Sequence, residues 1–217
     1  MKAYISKKSN EILLRYLEEK DISLTFVGPI PFVDIPINTH PDILYCKLKD
    51  DEIFVGDENL LSSKYPGDIR YNACSTGKYF IHNLKYTDEK LLKRAKELGL
   101  KLVDVKQGYS KCSIVVIDEN SVITYDEGIS KALINEGLNV LLISPGHVKL
   151  EGYATGFIGG ASGKIGDEII FNGNLRFHPD FDRIETFINI RGLKLKYFTE
   201  YELTDIGSII AFNGGTK

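Results

Sequence analysis

Two short strings set acid–base and nucleophilic side chains beside one another: His40-Pro41-Asp42 and Lys111-Cys112-Ser113. An imidazole changes charge near neutral pH and is the usual side chain for moving a proton. A carboxylate two residues further on shares its face on a strand, and Pro41 suits the beginning of one. Cys112 is a nucleophile as a thiolate, which the ammonium of Lys111 would favour. On a strand, however, adjacent side chains point to opposite faces. That spacing sets Lys111 and Cys112 on opposite faces, and free cysteines often serve as core filler. Cys74, in Ala73-Cys74-Ser75, has the same setting as Cys112, which favours a structural reading of both.

Other strings carry less chemistry. A second His-Pro-Asp, His178-Pro179-Asp180, precedes a helical pattern, where Asp180 reads as an N-cap. The run GFIGGASGK at 156–164 has the glycines of a phosphate loop but not its spacing. Ile158 stands where GxxxxGK[ST] needs its first Gly, and Ile165 follows Lys164. Gly159 and Gly160 therefore read as places where backbones approach closely. No HExxH, GxSxG, EF-hand or Cys/His pattern occurs, so no metal or other cofactor is expected.

The elements that must position these residues recur along the chain. In 111–143 a β-branched strand (Ser113 to Ile117) meets an Asp-Glu-Asn turn and a second strand (Val122 to Thr124). A helical pattern follows from Ile129 to Ile134, Gly137 stops it, and Val140 to Ile143 form an apolar strand. The same order predicts two strands around Gly166-Asp167, a helix over 181–190 and a strand at 193–198. It recurs at 73–105, with a helix capped by Thr87, and in degenerate form at 41–71, with a short helix from Asn59 to Tyr65. A fifth unit is split: residues 203–213 supply its first strand, and the N-terminus supplies KAYIS, a helix in SNEILLRYLEEK and the strand ISLTFVG.

These repeats predict an α/β fold of five strand–strand–helix–strand units closed into a ring by the termini. An open doubly wound sheet is the alternative the same alternation allows. Small polar residues (Asp42, Ser75, Ser113, Ser162 and Ser208) open the first strands and would converge at the centre of a ring. With 43% hydrophobic and 26% charged residues, the 217-residue chain reads as one globular domain, 1–217. The net charge of −3 argues against nucleic acid. Without a signal segment or a long apolar run, a cytoplasmic protein with no membrane partner is expected. Three cysteines with no CxxC pair fit reduced thiols there.

The strings VKQGYSKCS (105–113), ISPGHVKLEGY (143–153) and GFIGGASGKI (156–165) resemble an uncharacterised bacterial family known only as a GME-fold domain. The repeat plan resembles the pentein fold of the guanidino-group-modifying enzymes: arginine deiminase, agmatine deiminase and dimethylarginine dimethylaminohydrolase. Translation initiation factor six is a member without enzymatic activity. The resemblance implies a five-unit α/β propeller and a hydrolase or transferase acting on guanidino or amidino small molecules. A cysteine there attacks the guanidinium carbon, a histidine moves protons, and carboxylates hold the cation.

Carried over, His40 would be the proton shuttle, Asp42 or Asp205 the cation clamp and Cys112 the nucleophile. Asn72, Ser75, Lys111, Ser113, Gly160, Ser162 and Ser208 would line the pocket with them. Two positions depart from the pattern: Lys111 stands where the nucleophile belongs, and Thr204 to Ser208 contain no cysteine. A lysine facing two aspartates implies a zwitterionic ligand such as arginine rather than agmatine. The departures also leave a second reading, a pentein without chemistry that binds a small molecule, a ribosome or another protein.

Overall fold

The computed structural model describes residues 1–214. Its elements run in five groups along the chain. The first holds β1 (Lys2–Ser6), α1 (Glu11–Glu19) and β2 (Ser23–Val27), the second β3 (Tyr45–Lys49) and β4 (Glu52–Val55). The third holds β5 (Cys74–Ser75), β6 (Tyr79–His82), α2 (Glu89–Glu97) and β7 (Lys101–Asp104). A four-residue helix, α3 (Ser110–Ser113), opens the fourth, followed by β8 (Ile114–Asp118), β9 (Ser121–Thr124), α4 (Glu127–Asn135) and β10 (Asn139–Leu142). The fifth has β11 (Ser162–Ile165), β12 (Glu168–Phe171), α5 (Phe181–Asn189) and β13 (Lys194–Lys196), and β14 (Ile210–Phe212) comes last.

Each complete unit pairs its first two strands antiparallel and its second and third parallel across a helix, as in β11–β12 and β12–β13. The helices form because each sets an apolar pair four residues apart on one face. Leu13 with Leu17, Leu91 with Ala95, Ile129 with Leu133 and Ile184 with Ile188 are all buried. Gly99, Gly137 and Gly192 stop three of these helices at positive φ, the conformation that favours glycine. The cap of α2 differs from expectation. Asp88, not Thr87, accepts from the amides of Lys90 and Leu91, while the Thr87 hydroxyl is taken by His82 and by the carbonyl of Asn83.

The second unit is shorter than expected. Residues 59–65 form no α-helix, only a 3-10 turn at Glu58–Leu60, and the sheet there has two strands. Leu60 and Tyr65 are exposed, so no apolar pair pulls a helix onto the sheet.

The split unit assembles as the repeats predict: β14 pairs antiparallel with β1, Tyr4 opposite Ile210. First strands of successive units touch, β14 with β3, β3 with β5, β8 with β11 and β11 with β14, while α3 touches β5. Backbone bonds cross these seams near the N-terminal ends of the strands. Asp42 donates to the Gly207 carbonyl, Lys111 to Asn72, Gly160 to Cys112 and Ser208 to Gly160. Among the described residues, no helix is long and apolar enough to cross a membrane.

Candidate functional site

The backbone around the predicted residues is not what strand spacing implied. Pro41–Ile43 is a 3-10 turn and β3 begins only at Tyr45, so His40 and Asp42 do not share a strand face. Lys111 and Cys112 lie in α3, one helical turn before β8. The alternation that would separate them does not apply, and both side chains reach the same place. Ser208 has φ +72 in the turn before β14.

There a hydrogen-bonded network joins four units. The Asp42 carboxylate is fully buried, and its Oδ2 accepts from the Ser208 hydroxyl at 2.7 Å and the Cys112 thiol at 3.1 Å. Lys111 Nζ donates to Ser208 Oγ at 3.0 Å, so ammonium and carboxylate are bridged by one hydroxyl. Asn72 fixes the backbone on both sides. Its Oδ1 accepts from the amides of Lys111 and Cys112, and its Nδ2 donates to the Asp42 carbonyl and the Cys112 sulfur. Asp42 Oδ1 is buried without a partner. Burial pushes the Asp42 carboxyl up.

His40 and Asp205 adjoin this network, Nδ1 lying 3.7 Å from Oδ1. Asp205 accepts from the amides of Gly207 and Phe157 at 2.9 Å each. Burial nevertheless raises its carboxyl to about 6 and lowers the His40 imidazole to about 4. Gly160 is glycine because a Cβ would run into the Asp205 carboxylate, and at Gly159 it would meet the carbonyls of Lys111, Cys112 and Ile114.

Chemically, Cys112 is badly placed to become a thiolate. Burial, then the carboxylates of Asp42 and Asp205, push the thiol well above its ordinary range. Its hydrogen-bond partners are Asp42 and Asn72, and no histidine is among them. Cys74 is pushed up to about 12 by burial and belongs to the core. No cluster of three or more His, Cys, Asp or Glu fit to hold a metal occurs among the described residues.

On the other side of Lys111 lies a cavity of about 600 Å³. It is lined by residues of the first strands and of the turns that follow them, with Ser75, Gly163 and Ile209, and the lining also carries Lys47, Lys49, Lys164, Asp50, Asp118 and Glu119. Lys47 pairs with Asp50 at 2.9 Å, and Lys164 donates to the Ile117 carbonyl. Lys111 thus belongs to both the buried network and the cavity. Of the expected pocket residues, Ser113 is bonded to Tyr125 and Ser162 to the Gly159 carbonyl, both buried outside the cavity. Sequence spacing does not single out these charged lining residues. The signal that could have found them is the Asp118-Glu119-Asn120 turn, which ends the first strand β8 and brings two carboxylates to the cavity.

Residues 53–210 match a family described as "Family of unknown function (DUF6873)". The chain belongs to this family. No curated protein matches it. Solved structures similar to this member of the family include a dimethylarginine dimethylaminohydrolase adduct with 4-chloro-2-hydroxymethylpyridine. It is 11% identical with a TM-score of 0.55, over 91% of this chain and 92% of that one. A cysteine-to-serine mutant of the Pseudomonas aeruginosa dimethylarginine dimethylaminohydrolase, complexed with citrulline, gives 11% and 0.55, over 91% of each chain. Agmatine deiminase of C. jejuni gives 10% and 0.52, over 91% of this chain and 86% of that one. At such identities the likeness is one of fold: a mixed α/β fold resembling the penteins.

Proposed function

We propose that the five units form a ring closed by the β1–β14 pairing, and that its central cavity binds a small zwitterion with an amino-acid carboxylate and a guanidino-like cationic end. The observation that carries this reading is Lys111, whose ammonium lies in the wall of the roughly 600 Å³ cavity and is held by Ser208 against Asp42. That volume falls in the range of small-molecule sites. Lys111 would take the carboxylate, a charge-assisted bond at a fixed point. The aspartates expected to clamp the cation lie buried outside the cavity, Asp205 bonded by two amides and Asp42 by Cys112 and Ser208 through Oδ2 alone. The cationic end would face Asp118 and Glu119 in the cavity lining instead.

The same geometry favours binding over hydrolysis. A guanidino hydrolase needs a thiolate and a histidine beside it, whereas here the thiol sits between carboxylates that hold its proton on. Thermal-shift measurements test the ligand, and a ureido-release assay tests turnover. Arginine is expected to raise Tm, agmatine, which lacks the carboxylate, to leave it unchanged, and Lys111→Gln to abolish the arginine effect. None of these compounds is expected to be turned over. Equal stabilisation by agmatine defeats the charge argument, and turnover lost in Cys112→Ala restores the hydrolase.

A further inference from the structure

A second cavity, of about 780 Å³, lies between the 60–70 connection and the entry to α2. Lys64, Arg70, Lys85 and Lys90 line it, against Asp88 and Glu89. None of these cations is ion-paired with any described residue. Asp88 Oδ1 is taken by the amides of Lys90 and Leu91, so that carboxylate serves its own helix. Arg70 decides the reading: its Nε is buried without a partner. A buried guanidinium N–H left unbonded is costly, and a planar fork of donors suits an oxyanion best.

We propose that this cleft binds the phosphate group of a small molecule. Four cations against two carboxylates leave an excess of two positive charges, on a chain whose net charge is −3. A phosphate dianion matches that excess where a carboxylate does not. Arg70 stands in the cleft wall, where the outer nitrogens of its guanidinium would meet the anion, with Lys64 and Lys85 supplied from the two flanking segments. Lys85 already lies over the Tyr86 ring at 5.2 Å, which keeps it beside the cleft. The site is separate from the central cavity, sharing no lining residue with it.

Isothermal titration calorimetry of the full chain with inorganic phosphate, at fixed ionic strength in chloride, tests this. Saturable binding is expected, and acetate should give none. Arg70→Gln should weaken phosphate binding by about tenfold or more, the loss of a charge-assisted hydrogen bond. Should Arg70→Gln fail to fold, the double variant Lys64→Gln/Lys85→Gln, on exposed side chains, is expected to show a similar loss. Glycerol phosphate binding at least as tightly as inorganic phosphate assigns the site to a phosphomonoester. The reverse order assigns it to free phosphate, and either result supports the site. Equal binding of acetate, unchanged affinity in both variants, or loss in Lys111→Gln but not Arg70→Gln would overturn the proposal. So would sedimentation with phosphatidylglycerol vesicles that phosphate does not compete away.

Discussion

His40 and Asp205 are displaced from their ordinary ionisation in opposite senses by the same burial. The imidazole falls from 6.5 to about 4 and the carboxyl rises from 3.8 to about 6. Between pH 4 and 6.5 the unfolded chain binds a proton at His40 that the folded chain does not, so this term makes stability rise with pH. Between 3.8 and 6 the folded chain keeps a proton on Asp205 that the unfolded chain has lost, and that term makes stability fall with pH. Each spans about 3 kcal/mol, and their windows overlap, so together they nearly cancel. Asp205→Asn is therefore expected to acquire a stability that climbs, relative to wild type, by about 3 kcal/mol from pH 4 to 6.5. His40→Asn should move the other way. Urea denaturation at several pH values measures both, and parallel curves for the three proteins would show that the pair is not protonated as described. His40, Asp42 and Asp205 were legible as a cluster from their places before first strands. Their ionisation was not, because burial is a property of all five units at once.

Elements were legible where the chain carries a period and illegible where it does not. Leu13, Tyr16 and Leu17, like Ile184, Phe187 and Ile188, announce helices, because apolar residues at i, i+3 and i+4 share a face on a helix and not on a strand. The four residues of α3 are too few to show any period, so strand spacing sets Lys111 and Cys112 on opposite faces where the helix brings them together. The turn before β14 is similar. Gly207 has φ +73, and a Cβ there would run into His40, whereas Gly192 has φ +71 after α5 with open space around it. Both replacements by alanine incur the left-handed backbone cost of about 1–2 kcal/mol. Gly207→Ala must also displace His40, and with it the turn that presents Ser208 to Asp42. Its loss of stability is expected to exceed that of Gly192→Ala by at least about 1 kcal/mol, in line with overpacking a closed site. Equal losses in urea denaturation would show that His40 yields freely and that the turn does not position the network.

At the scale of the whole molecule, the chain begins and ends inside one unit. The β1–β14 ladder joins residues from opposite ends of the sequence, and Ile210 and Ala211 are buried in it. Every other sheet is built from one continuous segment. Closing this one therefore carries the largest loop-closure entropy in the fold, and until it forms β1 keeps an open edge. A circular permutant separates these costs from the native contacts. Joining the termini with a short Gly/Ser linker and opening the exposed Gly28–Pro29 link makes all five units contiguous, in the order β3 to β13, then β14, β1, α1 and β2. The permutant is expected to keep the far-UV circular dichroism of the parent and to refold faster, since its most distant pairing has become local. A chain truncated after Ser208 keeps every other sheet but loses β14, and with it the cover over β1, β3 and β11. It is expected to lose cooperative unfolding and to aggregate. A permutant that cannot fold, or a truncated chain that melts like the parent, would mean that the molecule does not depend on the pairing of its ends.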